Sequence, residues 1–142
     1  VRDLAFSPDG TSLVTIDRLG RVVMWDVDGE RKGELGSAPG AETIEYGPGG
    51  DVVAATRPGA TWLWDAKNGR QLARLPSGTD EITYDHFSPD GRFVALTDAH
   101  GAVELFAVRH ELLRDIAKGQ SVRDLSAADY ARFGLPDPVF DR

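Results

Sequence analysis

Ser7-Pro8-Asp9-Gly10 returns as Gly47-Pro48-Gly49-Gly50 and again as Ser88-Pro89-Asp90-Gly91, at spacings of 47 − 7 = 40 and 88 − 47 = 41 residues. A turn signal repeated at a fixed spacing constrains a fold strongly. It marks where the same short unit starts again, and units of about 40 residues stack to share a core that none could bury alone. The tetrapeptide itself has a mechanism: Pro presets φ at the second turn position, Asp suits the third, and Gly takes a positive φ at the exit.

Around each turn lie runs of strand length, rich in Val, Ile, Phe and Trp. The first unit reads as strands over 1–6, 13–16 and 21–26, with Leu4 and Phe6 on one face and Ala5 on the other. Its second strand is apolar on both faces, as expected of a strand between neighbouring layers. A polar outer strand follows over 30–35. The second unit has strands over 42–46, 51–56, 61–65 and 70–75, with Asn68-Gly69 as the hairpin turn. The third has strands over 82–87, 92–97 and 102–106, after which the period changes. Leu112, Leu113, Ile116 and Ala117 fall at helical spacing and Gly119 ends them, so 111–118 reads as a helix; the alternative is a fourth outer strand over 110–117. Ser126 as N-cap, Asp129 three residues on, and Tyr130 with Phe133 on one face predict a second short helix. The resulting division is 1–36, 37–77, 78–109 and a helical tail over 110–142.

The closing Trp25-Asp26 returns as Trp64-Asp65 and, in weaker form, as Phe106-Ala107. With the turn tetrapeptide and the period, these residues make the chain over about 1–108 resemble the WD40-repeat β-propeller family. The resemblance implies an all-β partial propeller of three four-stranded blades with a short helical C-terminal tail. Trp25, Asp26, Trp64, Asp65 and Phe106 would be the blade-structural residues. Arg123-Asp124-Leu125-Ser126 with Tyr130 and Phe133 is similar to the tail after the last blade in some large bacterial members. In the family, an Asp six residues before the Trp and a Ser or Thr two residues after that Asp join a buried network. Here those positions hold Leu19, Pro58 and His100, and Arg21, Ala60 and Ala102. Cohesion is therefore expected from apolar burial, at about 25 cal/mol per Å², with Asp17 and Asp98 capping the turns instead.

A net charge of −7 argues against nucleic acid as a partner, since that needs a basic footprint. No apolar run reaches the length of a membrane span, no signal-peptide pattern is visible, and the chain lacks Cys. The setting expected is cytoplasmic. Three blades are fewer than the 4–8 or so of a closed propeller, so the remainder is expected from the same polypeptide or from a self-associated copy, unless the tail helices cover one end. The chain opens at Val1 already inside a strand pattern, which suggests a piece of a longer polypeptide.

His86, His100 and His110 are the only histidines. Asp85, His86 and Ser88 do not line up as a relay, because adjacent strand residues face opposite ways. Asp26-Val27-Asp28-Gly29 lacks the downstream Glu of a calcium loop, and 47–50 lacks the Lys of a phosphate loop. No catalytic residue, metal or cofactor is assigned. Asp85 is the exception to the pattern: by register it matches Leu4 and Ile44, which should face inward. Two accounts stay open, a bulge that turns Asp85 outward, or an Asp at a blade interface or channel hydrogen-bonded to backbone amides. Trp62 and Trp64 are expected in interior packing. The function the resemblance implies is a non-catalytic scaffold for a protein or peptide partner, in a larger signalling protein. Contacts would lie on the equivalent loops at Arg18-Leu19, Arg57-Pro58 and Ala99-His100. The alternative is an accessory propeller of a peptidase or NTPase whose catalytic domain lies outside this chain. A propeller metal enzyme would need inward Asp, Glu, Asn and His from several blades, and only Asp85 offers itself.

Overall fold

The computed structural model describes residues 1–76, 82–98 and 101–108. The expected fourth strand of the third unit, the helix over 111–118, the second helix and His110 lie outside these residues. Within them the chain forms eleven strands and no helix. These are β1 (Asp3–Phe6), β2 (Ser12–Ile16), β3 (Arg21–Asp26), β4 (Arg31–Ser37), β5 (Thr43–Tyr46), β6 (Val52–Arg57), β7 (Ala60–Asp65), β8 (Gln71–Pro76), β9 (Ile82–Phe87), β10 (Phe93–Asp98) and β11 (Val103–Ala107). Three separate antiparallel sheets result, β1–β4, β5–β8 and β9–β11, each with its strands in sequence order. Each is a blade-like meander.

The turn tetrapeptide works as its chemistry predicts. Ser7 Oγ donates to Asp9 Oδ1 (2.6 Å) and accepts from Ser12 N–H (3.0 Å), while Asp9 Oδ1 also accepts from Thr11 N–H (3.0 Å). The bonds from Ser7 and Thr11 hold the Asp9 carboxyl down at about 2. Ser88, Asp90, Arg92 and Phe93 repeat the arrangement at 2.6 and 3.0 Å. The middle unit has no Ser or Asp at these positions and keeps the backbone bonds, Gly50 N–H to Gly47 C=O at 2.9 Å and Gly47 N–H to Val52 C=O at 2.8 Å. The successive turns touch: a Cβ on Gly50 would lie 3.4 Å from Pro8 Cδ, and one on Gly91 3.5 Å from Pro48 Cγ.

Alternation on β6 shows how the sheets stack. Val53 and Ala55 pack in one cluster with Val14, Ile16 and Val22 of the first sheet. Val52 and Ala54 pack in the other with Val94 and Leu96 of the third. A strand buried on both sides, whose alternate residues meet different sheets, places the second sheet between the other two. Each sheet thus has a leading face toward the preceding sheet and a trailing face toward the next. Trp62 and Trp64 are 6% and 1% exposed on the second sheet's leading face, in the interior as expected.

The Asp of each Trp-Asp pair ties its hairpin. Asp26 Oδ1 accepts from Glu30 N–H (2.8 Å), which makes 26–29 a turn. Asp65 Oδ1 accepts from Lys67 N–H (2.8 Å), and its Oδ2 from Asn68 Nδ2 (3.1 Å). The crossover between the first two sheets is pinned where Ala38 N–H donates to Gly20 C=O (2.8 Å). Gly20 has φ +83°, and a Cβ there would collide with the Ala38 carbonyl. Gly20→Ala is therefore expected to cost about 2–3 kcal/mol in urea unfolding. A loss under about 0.5 kcal/mol would show that the crossover shifts aside freely.

Candidate functional site

Two features gather chemistry: the rim formed by the β2–β3 and β6–β7 turns, and a polar node between the second and third sheets.

On the rim, Asp17 caps the first turn as expected. Its Oδ1 accepts from Leu19 N–H and Arg21 N–H, both at 2.9 Å, and its Oδ2 pairs with Arg21 Nε at 2.7 Å. These bonds from Arg21 hold its carboxyl below the usual range. The capped turn presents Arg18 and Leu19 to solvent, Leu19 at 75% exposure. At the equivalent turn Pro58 is exposed, but Arg57 is half-buried. Its guanidinium lies over the Trp62 ring at 5.8 Å, and Arg74 covers the same ring at 5.3 Å. Arg57 is thus a positioned cation rather than a free one. Ala99 and His100 lie outside the described residues, as does the Asp98 side chain.

At the node, Asp85 faces the second sheet. Thr56 Oγ1 donates to Asp85 Oδ2 (2.8 Å), and the Thr56 and Thr61 hydroxyls share a bond of 2.9 Å. A hydroxyl has one proton, so Thr61 donates to Thr56 and Thr56 to Asp85. The outward-turned account of Asp85 is corrected by this bond. A bulge does exist, but it falls where Thr97 pairs with Tyr84 and Asp98 with Ile82, one residue too early to rotate Asp85. The interface account holds, with the Thr56 hydroxyl as a partner across the interface. Burial pushes the Asp85 carboxyl up, and the Thr56 bond opposes this.

Glu45 completes the node and was not among the residues singled out from sequence. It pairs with Ala54 on the trailing face, so it faces the same sheet interface. Its Oε1 is buried without a hydrogen-bond partner among the described residues. Burial, helped by the Asp85 charge, pushes its carboxyl up to about 8. The signal available in sequence was positional: Glu45 stands where the first unit has Ala5. The threonine–carboxylate chain ties the second sheet to the third.

An open groove of about 420 Å³ runs between the outer strand of the first sheet and the β7–β8 turn of the second, lined by Met24, Lys32, Glu34, Leu35, Lys67 and Asn68. Its charges are mixed and do not converge. Among the described residues, no three of His, Cys, Asp and Glu cluster to hold a metal, and no helix is long and apolar enough to cross a membrane. His86 is exposed on the inner strand of the third sheet. No family model matches this chain.

Proposed function

We propose that this chain is a non-catalytic interaction module, a partial propeller of WD40-repeat type that presents its rim to a protein or peptide segment. The observation that carries the reading is the Asp17-capped loop. A buttressed turn holds Leu19 out at 75% exposure beside exposed Arg18, with Pro58 exposed on the equivalent loop of the next sheet. Loops on a rigid scaffold are where binding concentrates, and an exposed apolar residue beside a cation suits a peptide carrying an apolar side chain next to a carboxylate. The setting proposed is a larger multidomain signalling protein, without a cofactor.

The test is selection of binders from a random peptide library, followed by calorimetry. The paired change Arg18→Ala with Leu19→Ser is expected to weaken selected peptides at least tenfold while leaving the unfolding midpoint unchanged. Peptides indifferent to that pair would overturn the reading.

A further inference from the structure

The leading face of the first sheet repeats, residue for residue, the face by which the second sheet receives the first. Leu4, Phe6, Leu13, Thr15, Val23 and Trp25 stand where the second sheet has Ile44, Tyr46, Val53, Ala55, Trp62 and Trp64. In the second sheet these residues are largely buried against Val14, Ile16 and Val22. In the first, Leu4 and Phe6 are 48% and 60% exposed, while Leu13, Val23 and Trp25 are half-buried and Thr15 is buried. Polar groups on this face are already paired within the sheet: Trp25 Nε1 donates to Thr15 Oγ1 at 2.9 Å, and Thr15 Oγ1 donates to Val23 C=O at 3.4 Å. Covering the face leaves neither group stranded.

We propose that this face is a docking surface for the trailing face of another sheet of this same repeat. That sheet would carry an aliphatic residue, not a threonine, at the position equivalent to Ile16. The two sheet interfaces present here show the rule. The trailing face of the first sheet, with Ala5, Val14, Ile16 and Val22, meets the apolar Ile44. The trailing face of the second sheet carries Thr56 and Thr61 at the positions of Ile16 and Val22, and meets Asp85, the equivalent of Ile44. Apolar meets apolar, and hydroxyl meets carboxylate. The first sheet has Leu4 at that position, so it fits an apolar trailing face. The third sheet carries His86 and Thr97 where the first has Ala5 and Ile16, so the trailing face of a second copy is a poor match. The backbone gives the same register, since Asp3 Oδ2 accepts from Ile44 N–H at 2.9 Å across the first interface. The Asp3 equivalent of an incoming sheet would meet Leu4 N–H in the same way. The assignment is independent of what the rim binds.

The decisive experiment repeats residues 1–40 directly ahead of Val1 in the full chain, which keeps the 40-residue register. Hydrogen exchange of the original β1 and β2 amides is expected to slow at least tenfold, because repeat stability is a sum of unit and nearest-neighbour contributions. Phe6→Glu in the original sheet is expected to abolish the gain, and so is Ile16→Thr in the added one. Exchange within twofold of the unextended chain would overturn the proposal, and equal protection by the Ile16→Thr sheet would overturn its specificity. Sedimentation of the unextended chain is expected to give 15.4 kDa. Twice that mass, abolished by Phe6→Glu, would make a second copy the occupant and overturn the assignment.

Discussion

Replacing Trp64 by alanine is expected to cost about 3–5 kcal/mol, against about 1–2 kcal/mol for Trp25→Ala. The two residues hold the same place in consecutive repeats. Trp64 pairs with Val53, is 1% exposed, and lies over the first sheet, where a Cβ on Gly36 would fall 2.8 Å from its Nε1. Its truncation opens a void between two sheets whose backbones are already in contact, and a close-packed interface collapses only partly into such a space. Trp25 pairs with Leu13 on a face that no sheet among the described residues covers, so most of what it loses is contact within its own sheet. Far-UV circular dichroism in urea would measure both losses, since it does not rely on the deleted fluorophore. A domain's whole stability is about 5–15 kcal/mol, so the Trp64 variant is expected to lose at least about a fifth of the wild-type urea midpoint. Equal losses at the two sites would show that the neighbouring sheet is not what makes Trp64 matter.

That contrast also marks how far the sequence carries. The turn tetrapeptide and the Trp-Asp endings located the strands because each acts within a few residues. Asp9 bonds Thr11, Asp26 bonds Glu30, and Asp65 bonds Asn68. The apolar run over 13–16 predicted a second strand buried on both faces; β2 is largely buried, and its counterpart β6 is buried on both sides. Asp85 was legible as an exception to the pattern, but Thr56, its partner 29 residues earlier, was not, because strand periodicity says nothing of which sheet a side chain will meet. Glu45 was missed for the same reason: alone it is an ordinary strand carboxylate, and its burial at the interface with the third sheet, beside Asp85, makes it unusual. Arg57 read as a loop contact, and its place over Trp62 was not legible, because that contact between residues five apart depends on the turn between them. The exposed rim at Leu19 was readable because a turn capped by Asp17 has nowhere to hide its tip.

Stability is expected to fall as pH rises from about 5 to 8, and Glu45→Gln is expected to remove most of that slope. In the folded chain Glu45 keeps its proton up to about 8, whereas a free glutamate releases it near 4.5. Between those values the folded state binds more protons than the unfolded one, so raising pH favours unfolding; above about 8 both are ionised and the dependence ends. Asp85, raised by burial, acts in the same sense, with the Thr56 bond limiting its share. A dry site would turn this displacement into about 5 kcal/mol, at about 1.4 kcal/mol per pH unit. Glu45 keeps partial solvent contact, so a loss of about 2 kcal/mol is the expected size. On the acid side, Asp9 is held at about 2 and Asp17 below its usual range, so their contributions disappear as pH falls through those lower values. The two trends together place the stability maximum a little above pH 4, between the free values of Asp and Glu. Urea midpoints at pH 4, 5, 6, 7 and 8 would trace the curve for both chains. Glu45→Gln resembles the protonated side chain, so it is expected to match wild type at pH 5 and exceed it at pH 8. A wild-type midpoint that is flat or rises between pH 5 and 8 would mean that Glu45 is ionised in the folded chain. The interface between the second and third sheets would then hold two carboxylates without the proton that reconciles them.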